Sequence, residues 1–90
     1  MAEQRTALIT GIAGQDGSYL AQHLLQQGWR VVGAARDPER AAATLHGLGI
    51  TGVSLVACNL ADAAGLHALL ADVRPQQLYN LAAFATGVGM

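Results

Sequence analysis

Three glycines, Gly11, Gly14 and Gly17, recur at every third position between an apolar run, Ala7-Leu8-Ile9-Thr10, and a stretch of helix-forming residues. No other feature restricts the fold of this chain so tightly. The run reads as a buried strand. Residues 18–27 read as a helix, with Leu20, Ala21, Leu24 and Leu25 to one side and Gln22, Gln26 and Gln27 elsewhere, ending at a left-handed cap on Gly28. In that setting Gly11 turns the chain sharply off the strand, and Gly14 lets backbone approach a ligand with no Cβ in the way. Gly17 lets the start of the helix pack against the sheet. The unpaired N–H groups of the first helical turn then converge on one place, and the helix dipole adds ~0.3–1 kcal/mol per favourable contact with an anion. A diphosphate fits there, with Gly11, Ile12, Gly14, Gln15, Asp16 and Gly17 as its candidate contacts. The alternative is a tight strand–helix turn that binds nothing.

The rest of the chain repeats the alternation. Arg30-Val31-Val32-Gly33-Ala34-Ala35 is continuously apolar after its first residue, as in a strand buried on both faces. Asp37-Pro38-Glu39 starts a second helix: a cap, a first-turn proline and an acid at the positive end of the dipole. That helix runs to about residues 45–46 and stops at Gly47 or Gly49. Residues 53–58 form a third strand. Asp62 caps a third helix, in which Leu66, Leu69, Leu70 and Val73 make an apolar stripe. Pro75 ends it, and residues 77–82 read as a fourth strand. Apolar strands alternating with amphipathic helices predict an α/β fold: a partial doubly wound, Rossmann-type parallel sheet of about four strands and three helices.

Composition narrows the function. The 90 residues allow one small domain, and 52% hydrophobic against 12% charged residues, with a mean hydropathy of +0.32, excludes a disordered chain. A formal net charge of −1 leaves no basic field for nucleic acid. The longest apolar stretches, 31–35 and 53–58, fall far short of the ~20 residues of a membrane span, and residues 1–6 lack the apolar core of a signal peptide. One cysteine, Cys58, rules out an internal disulfide and favours a reducing compartment, so a cytoplasmic location is expected. With so few charges for its surface, the chain is expected to carry an apolar face that a partner subunit or the remainder of a longer chain covers, and hence to self-associate.

Further candidates lie at the strand ends, where ligands of open α/β sheets sit. After the second strand come Arg36 and Asp37. An arginine there accommodates a 2′-phosphate, whereas an acid selects a free 2′-hydroxyl, so Arg36 favours NADP over NAD. The other reading has Arg36 solvated and Asp37 serving the ribose; if Asp37 is the helix cap, the arginine reading gains. Asn59 is a candidate for hydrogen bonding to the adenine amino edge, and Leu60 for packing on the ring. Leu81, Ala82 and Ala83 are small or apolar neighbours for a nicotinamide ribose. Ser18 either donates to a phosphate or satisfies the first helical turn. Asp16 reads as a helix cap rather than an acid, Cys58 as a small buried hydrophobe, and Trp29 as packing. His23, His46 and His67 have no metal-like spacing.

The segment Thr10-Gly11-Ile12-Ala13-Gly14-Gln15-Asp16-Gly17-Ser18-Tyr19-Leu20-Ala21 resembles the opening of the extended short-chain dehydrogenase/reductase family, and Gly14 to Leu20 most resembles its GDP-mannose 4,6-dehydratase branch. Asn59-Leu60-Ala61-Asp62 is similar to the family's acid-leucine-x-acid segment, and Tyr79-Asn80-Leu81-Ala82-Ala83 to its fourth strand. The resemblance covers nearly the whole chain. It implies NADP, a sugar-nucleotide substrate such as GDP-mannose, and a reaction in which hydride leaves the sugar C4, water is lost across C5–C6, and the hydride returns to C6. Three local departures stand out: Asn59 where the family has aspartate, Phe84-Ala85 where it has glutamine-serine, and a shorter stretch after Arg36 in a region that helps assemble the branch's tetramer.

The family's acid/base pair, Tyr-x-x-x-Lys, is not in this sequence. The chain has no lysine, Tyr19 is followed four residues on by His23, and Tyr79 by Ala83. Residues 1–90 therefore read as the N-terminal part of a dinucleotide-binding domain, with no catalytic residue and no sugar-nucleotide domain. Other members of the family, an epimerase or a reductase, and a non-catalytic nucleotide-binding or protein-interaction module remain as alternatives.

Overall fold

A computed structural model describes residues 4–59 and 61–81. Its elements alternate without exception: β1 (Thr6–Thr10), α1 (Gln15–Gln26), β2 (Arg30–Ala35), α2 (Pro38–Gly47), β3 (Val53–Ala57), α3 (Ala63–Val73) and β4 (Gln77–Asn80). The strands form one parallel sheet in the order β3-β2-β1-β4. The α/β doubly wound expectation is met. From β1 the chain winds outward through β2 to β3, then returns to lay β4 on the other side of β1, so the winding reverses between β1 and β4. Thr10 pairs with Ala34 of β2 and with Asn80 of β4.

Side-chain alternation along the strands builds a core on each face of the sheet. Ala7, Ile9 and Val31 face α1 and α2, where they join Ile12, Ala21, Leu24, Ala41, Leu45 and Ile50 in one buried cluster. Leu8, Val32, Ala34 and Cys58 face the other way, and Leu66, Leu69, Leu70 and Val73 of α3 cover them in part. The two clusters differ in cover. Helices α1 and α2 contribute fully buried residues, whereas α3 contributes none. No helix of the described residues is long and apolar enough to cross a membrane.

Helix ends follow local chemistry. Gly28 and Gly49 adopt φ of +87° and +76°, and each closes its helix with the two reverse bonds of a Schellman turn. Gly28 N–H donates to Leu25 C=O and Trp29 N–H to Leu24 C=O; Gly49 N–H donates to His46 C=O and Ile50 N–H to Leu45 C=O. Asp37 Oδ1 accepts from Arg40 N–H at 3.2 Å, and Asp62 Oδ1 from Gly65 N–H at 3.2 Å, so both expected caps form. Trp29 is packing, as expected, and the Arg5 guanidinium lies 5.7 Å from the centre of its ring.

Some boundaries depart from the sequence reading. Helix α1 starts at Gln15, not residue 18, with Gly14 as its cap and no side-chain hydrogen bond there. Asp16 is thus the second residue of the helix and caps nothing, which corrects its reading as a cap. Strand β4 ends at Asn80, so Leu81 lies beyond it. Strand β3 ends at Ala57, although Cys58 N–H still donates to Ala35 C=O at 2.9 Å.

Candidate functional site

The reversal of winding opens the sheet at the C-terminal ends of β1 and β4, and the glycine loop rises from β1 at that point. Gly11 leaves the strand at φ +70°, a conformation that L side chains rarely adopt. Its carbonyl accepts from Gly14 N–H at 3.1 Å, and Gly14 carbonyl accepts from Ser18 N–H at 2.9 Å as α1 begins. The next donors have no such use. Among the described residues, the backbone N–H groups of Gln15, Asp16 and Gly17 make no hydrogen bond, as expected of a first helical turn without a side-chain cap. They are therefore available to an anion, with the dipole of a twelve-residue helix behind them.

Two glycines keep this mouth compact. A Cβ on Gly17 would run into the Gly11 carbonyl oxygen and lie 2.9 Å from Ile12 Cα, so at Gly17 the start of α1 closes directly onto the backbone of the loop. A Cβ on Gly14 would meet Gly11 carbonyl oxygen at 3.3 Å; Gly14 is exposed, so its free face is toward solvent. Ile12 is 1% exposed with its side chain in the α1-side core. Only its backbone can reach a ligand. Ser18 Oγ donates to Gln15 carbonyl oxygen at 3.0 Å, so the hydroxyl satisfies the helical turn, the second of its two readings. Gln15 and Asp16 are exposed at the same end.

Arg36 is exposed immediately beyond β2, on the strand next to the loop. Asp37 beside it is committed to capping α2. Asn59, beyond β3, is exposed. Its Oδ1 accepts from Ala61 N–H at 3.0 Å and its carbonyl from Asp62 N–H at 2.9 Å, a turn that steers the chain into α3. The side-chain bond engages one lone pair of the amide oxygen, and among the described residues the amide nitrogen makes no hydrogen bond. Leu81 packs against the α1-side core. Leu60, Ala82 and Ala83 lie outside the described residues.

One pair at the site was not singled out from sequence. Thr10 Oγ1 donates to Asn80 Oδ1 at 2.7 Å, tying the end of β1 to the end of β4 at the point of reversal. Its sequence signal is a polar residue ending each of two apolar strands. A cavity of about 340 Å³ lies against α1, lined by Tyr19, Gln22, Leu48 and Ile50 as well as Ala13, Gln15 and Ser18. It shares the flank of the loop but carries no charged lining residue.

Comparison with known proteins agrees with this geometry. The family described as GDP-mannose 4,6 dehydratase matches residues 8–88. A GDP-mannose 4,6-dehydratase of Vibrio cholerae is 39% identical over 89% of this chain and 23% of its own length. An oxidoreductase of the short chain dehydrogenase/reductase family from Burkholderia thailandensis superposes with a TM-score of 0.70 at 40% identity, over 86% of this chain and 31% of its own. The Bordetella bronchiseptica enzyme WbmH, solved in complex with NAD+, gives 0.69 at 29% identity over 87% of this chain and 26% of its own. A metagenomic short-chain oxidoreductase solved with NADP gives 0.64 at 27% identity, over 82% and 37%. The chain spans about a quarter of the length of the curated relatives it matches. With its sheet order, its glycine loop and a family match over all but the chain's ends, the chain belongs to the GDP-mannose 4,6-dehydratase family of short-chain dehydrogenases/reductases.

Proposed function

We propose that residues 1–90 are the N-terminal part of a dinucleotide-binding domain, that the dinucleotide is NADP, and that the protein to which they contribute is a sugar-nucleotide 4,6-dehydratase acting on GDP-mannose in the cytoplasm. The observation that carries this reading is the row of unbonded N–H groups on Gln15, Asp16 and Gly17, opening beside Gly11 where the sheet reverses its winding. Linked phosphates supply the acceptors those donors lack. The exposed backbone of Gly14 admits them without a side chain in the way.

Arg36 takes the 2′-phosphate in this reading, because Asp37, the rival for the ribose, already has a carboxylate oxygen engaged in the cap of α2. Asn59 hydrogen-bonds the adenine amino edge, its oxygen keeping a second lone pair beside the bond from Ala61 N–H. Leu60 is assigned to the adenine ring, and Leu81, Ala82 and Ala83 to the nicotinamide ribose. When bound, the dinucleotide supplies a reversible hydride carrier. The residues of this chain supply grip and orientation, and no residue here is assigned acid/base work, because the sequence has no lysine to complete a Tyr-x-x-x-Lys pair. Self-association through the thinly covered α3 side completes the proposal.

The test is titration of the 90-residue chain and its Arg36→Ala variant with NADP and NAD, followed by amide chemical shifts. NADP is expected to move the signals of residues 11–17 most. Loss of a charge-assisted contact of ~1.5–3 kcal/mol weakens NADP binding roughly ten- to a hundredfold and leaves NAD binding nearly unchanged. Equal losses for both would put the 2′-phosphate elsewhere, and shifts confined to other residues would overturn the loop as the diphosphate site.

A further inference from the structure

Gly33 stands in the middle of β2, paired with Ile9 on one side and Leu55 on the other. A glycine in the interior of a central buried strand weakens it, packing nothing and adding backbone freedom to the unfolded chain. Conformation does not account for it. The positive-φ glycines of the described residues are Gly11, Gly28, Gly49 and Gly52, and Gly33 is not among them. Space does account for it. A Cβ on Gly33 would lie 2.8 Å from Ile12 Cγ1, 3.0 Å from Ile12 Cβ and 2.9 Å from Leu55 Cδ2. Two side chains therefore fill the position that an alanine would claim, and one of them comes from the glycine loop.

Ile12 is held at its backbone as well. A Cβ on Gly17 would come within 2.9 Å of Ile12 Cα, so the backbone of α1 already rests on that residue. Ile12 is thus wedged between the start of α1 and the floor of β2, 1% exposed. Its Cβ and Cγ1 both abut the Gly33 position, so added volume there cannot be absorbed by swinging the end of a flexible chain. Leu55 differs, because it meets the same position with a terminal methyl group that a rotamer change can move.

We propose that Gly33 is a positioning residue of the phosphate loop: by leaving its Cβ position empty it seats Ile12 and so sets the height above β1 at which the N–H groups of the loop and of the first turn of α1 meet a diphosphate. The proposal rests on the dinucleotide reading above for its ligand, and on the packing alone for its mechanism. It adds to the site a fourth glycine that touches no ligand.

The test uses the isotope-labelled 90-residue chain, with NADP as the probe. Gly33→Ala is expected to melt cooperatively, to displace the ligand-free amide signals of residues 11–17, and to weaken NADP binding about tenfold. Gly33→Ala with Ile12→Ala returns the affinity to within about threefold of the parent, whereas Gly33→Ala with Leu55→Ala does not, because it relieves the contact that leads away from the loop. Unmoved loop signals in Gly33→Ala, or equal rescue by the two second-site changes, would overturn the proposal. If the parent chain fails to bind NADP, the dinucleotide reading falls, and the ligand-free loop signals still decide the seating. Should Gly33→Ala not fold, Ile12→Val and Leu55→Val are milder changes against the same glycine. The first is expected to shift the loop signals and the second to leave them in place; equal shifts reject the idea.

Discussion

At Gly14 and Gly17 an added methyl group meets different things, and that difference separates folding from binding. Gly17 would press its methyl into the Gly11 carbonyl and against Ile12 Cα, all backbone atoms that no rotamer can move. Gly17→Ala is therefore expected to destabilise the chain by ~1–3 kcal/mol, the usual range for forced overpacking, and to lower its melting temperature clearly. Gly14 sits at φ −73°, open to any residue, and its methyl would meet one atom at 3.3 Å. Gly14→Ala puts a poor capping residue at the N-cap and is expected to cost less, up to about 1 kcal/mol, and still to lose NADP affinity, because the methyl stands where the phosphates approach. Thermal melts beside NADP titrations check the pair, and a Gly14→Ala variant that binds normally would remove that glycine from the ligand's path. The turning role of Gly11 was legible from spacing and context. The partner of Gly17 was not: three-residue spacing says that something comes close, but only the path of the loop shows that it is the loop's own backbone. Gly33 left no mark in the sequence, since a glycine in a strand of small residues looks like filler until its neighbours are known. Ser18 and Asn59 had their local duties resolved by single hydrogen bonds that depend on side-chain rotamers, which no one-dimensional pattern encodes.

Helix ends were legible to the degree that side chains, rather than backbone, make the cap. Asp37 and Asp62 announce α2 and α3 with oxygen atoms three residues ahead of the amides they accept from, and Gly28 and Gly49 announce the left-handed exits of α1 and α2. The start of α1 has no such signal. Gly14 caps with no side chain, Gly17 is a poor helix former, and the helix extends back through both because its first turn is pinned on the loop. Local propensity therefore placed that start three residues late. The Asp37 cap also bears on the ribose. Asp37→Ala is expected to remove ~1 kcal/mol of stability and lower the melting temperature by roughly 4–8 °C in a domain of this size. As a cap and not a ribose ligand, its loss should not single out NAD: the affinity for NAD is not expected to fall relative to that for NADP. A selective loss of NAD binding, measured in the same titrations as Arg36→Ala, would return the ribose to Asp37 and with it the preference for NAD.

At the scale of the molecule, alternation of apolar strands and amphipathic helices made the parallel sheet legible, because such strands have no stable home except between helical layers. The inequality of the two layers was visible only as a shortage of charged residues. In the structure it acquires a location. Two helices bury the side of the sheet that holds Ile9 and Val31, while among the described residues α3 alone spans the side that holds Leu8 and Val32, with no residue of its own fully buried. On that side the edge strand β4 presents Leu78, in register with Leu8 and 45% exposed. Two outcomes follow from one cause. Fewer buried apolar contacts mean cheaper local opening, so the amides of α3 are expected to exchange with deuterium well before those of α1. The uncovered apolar surface favours pairing with a second copy, so the sedimentation coefficient of the 90-residue chain is expected to rise with concentration, and Leu78→Lys to lower that rise by placing a charge in the patch. Equal protection of α1 and α3 would mean that one helix suffices to close its side of the sheet. A concentration-independent monomer, with Leu78→Lys sedimenting identically, would mean that the residual apolar area is too small to drive association against the loss of rotational and translational freedom.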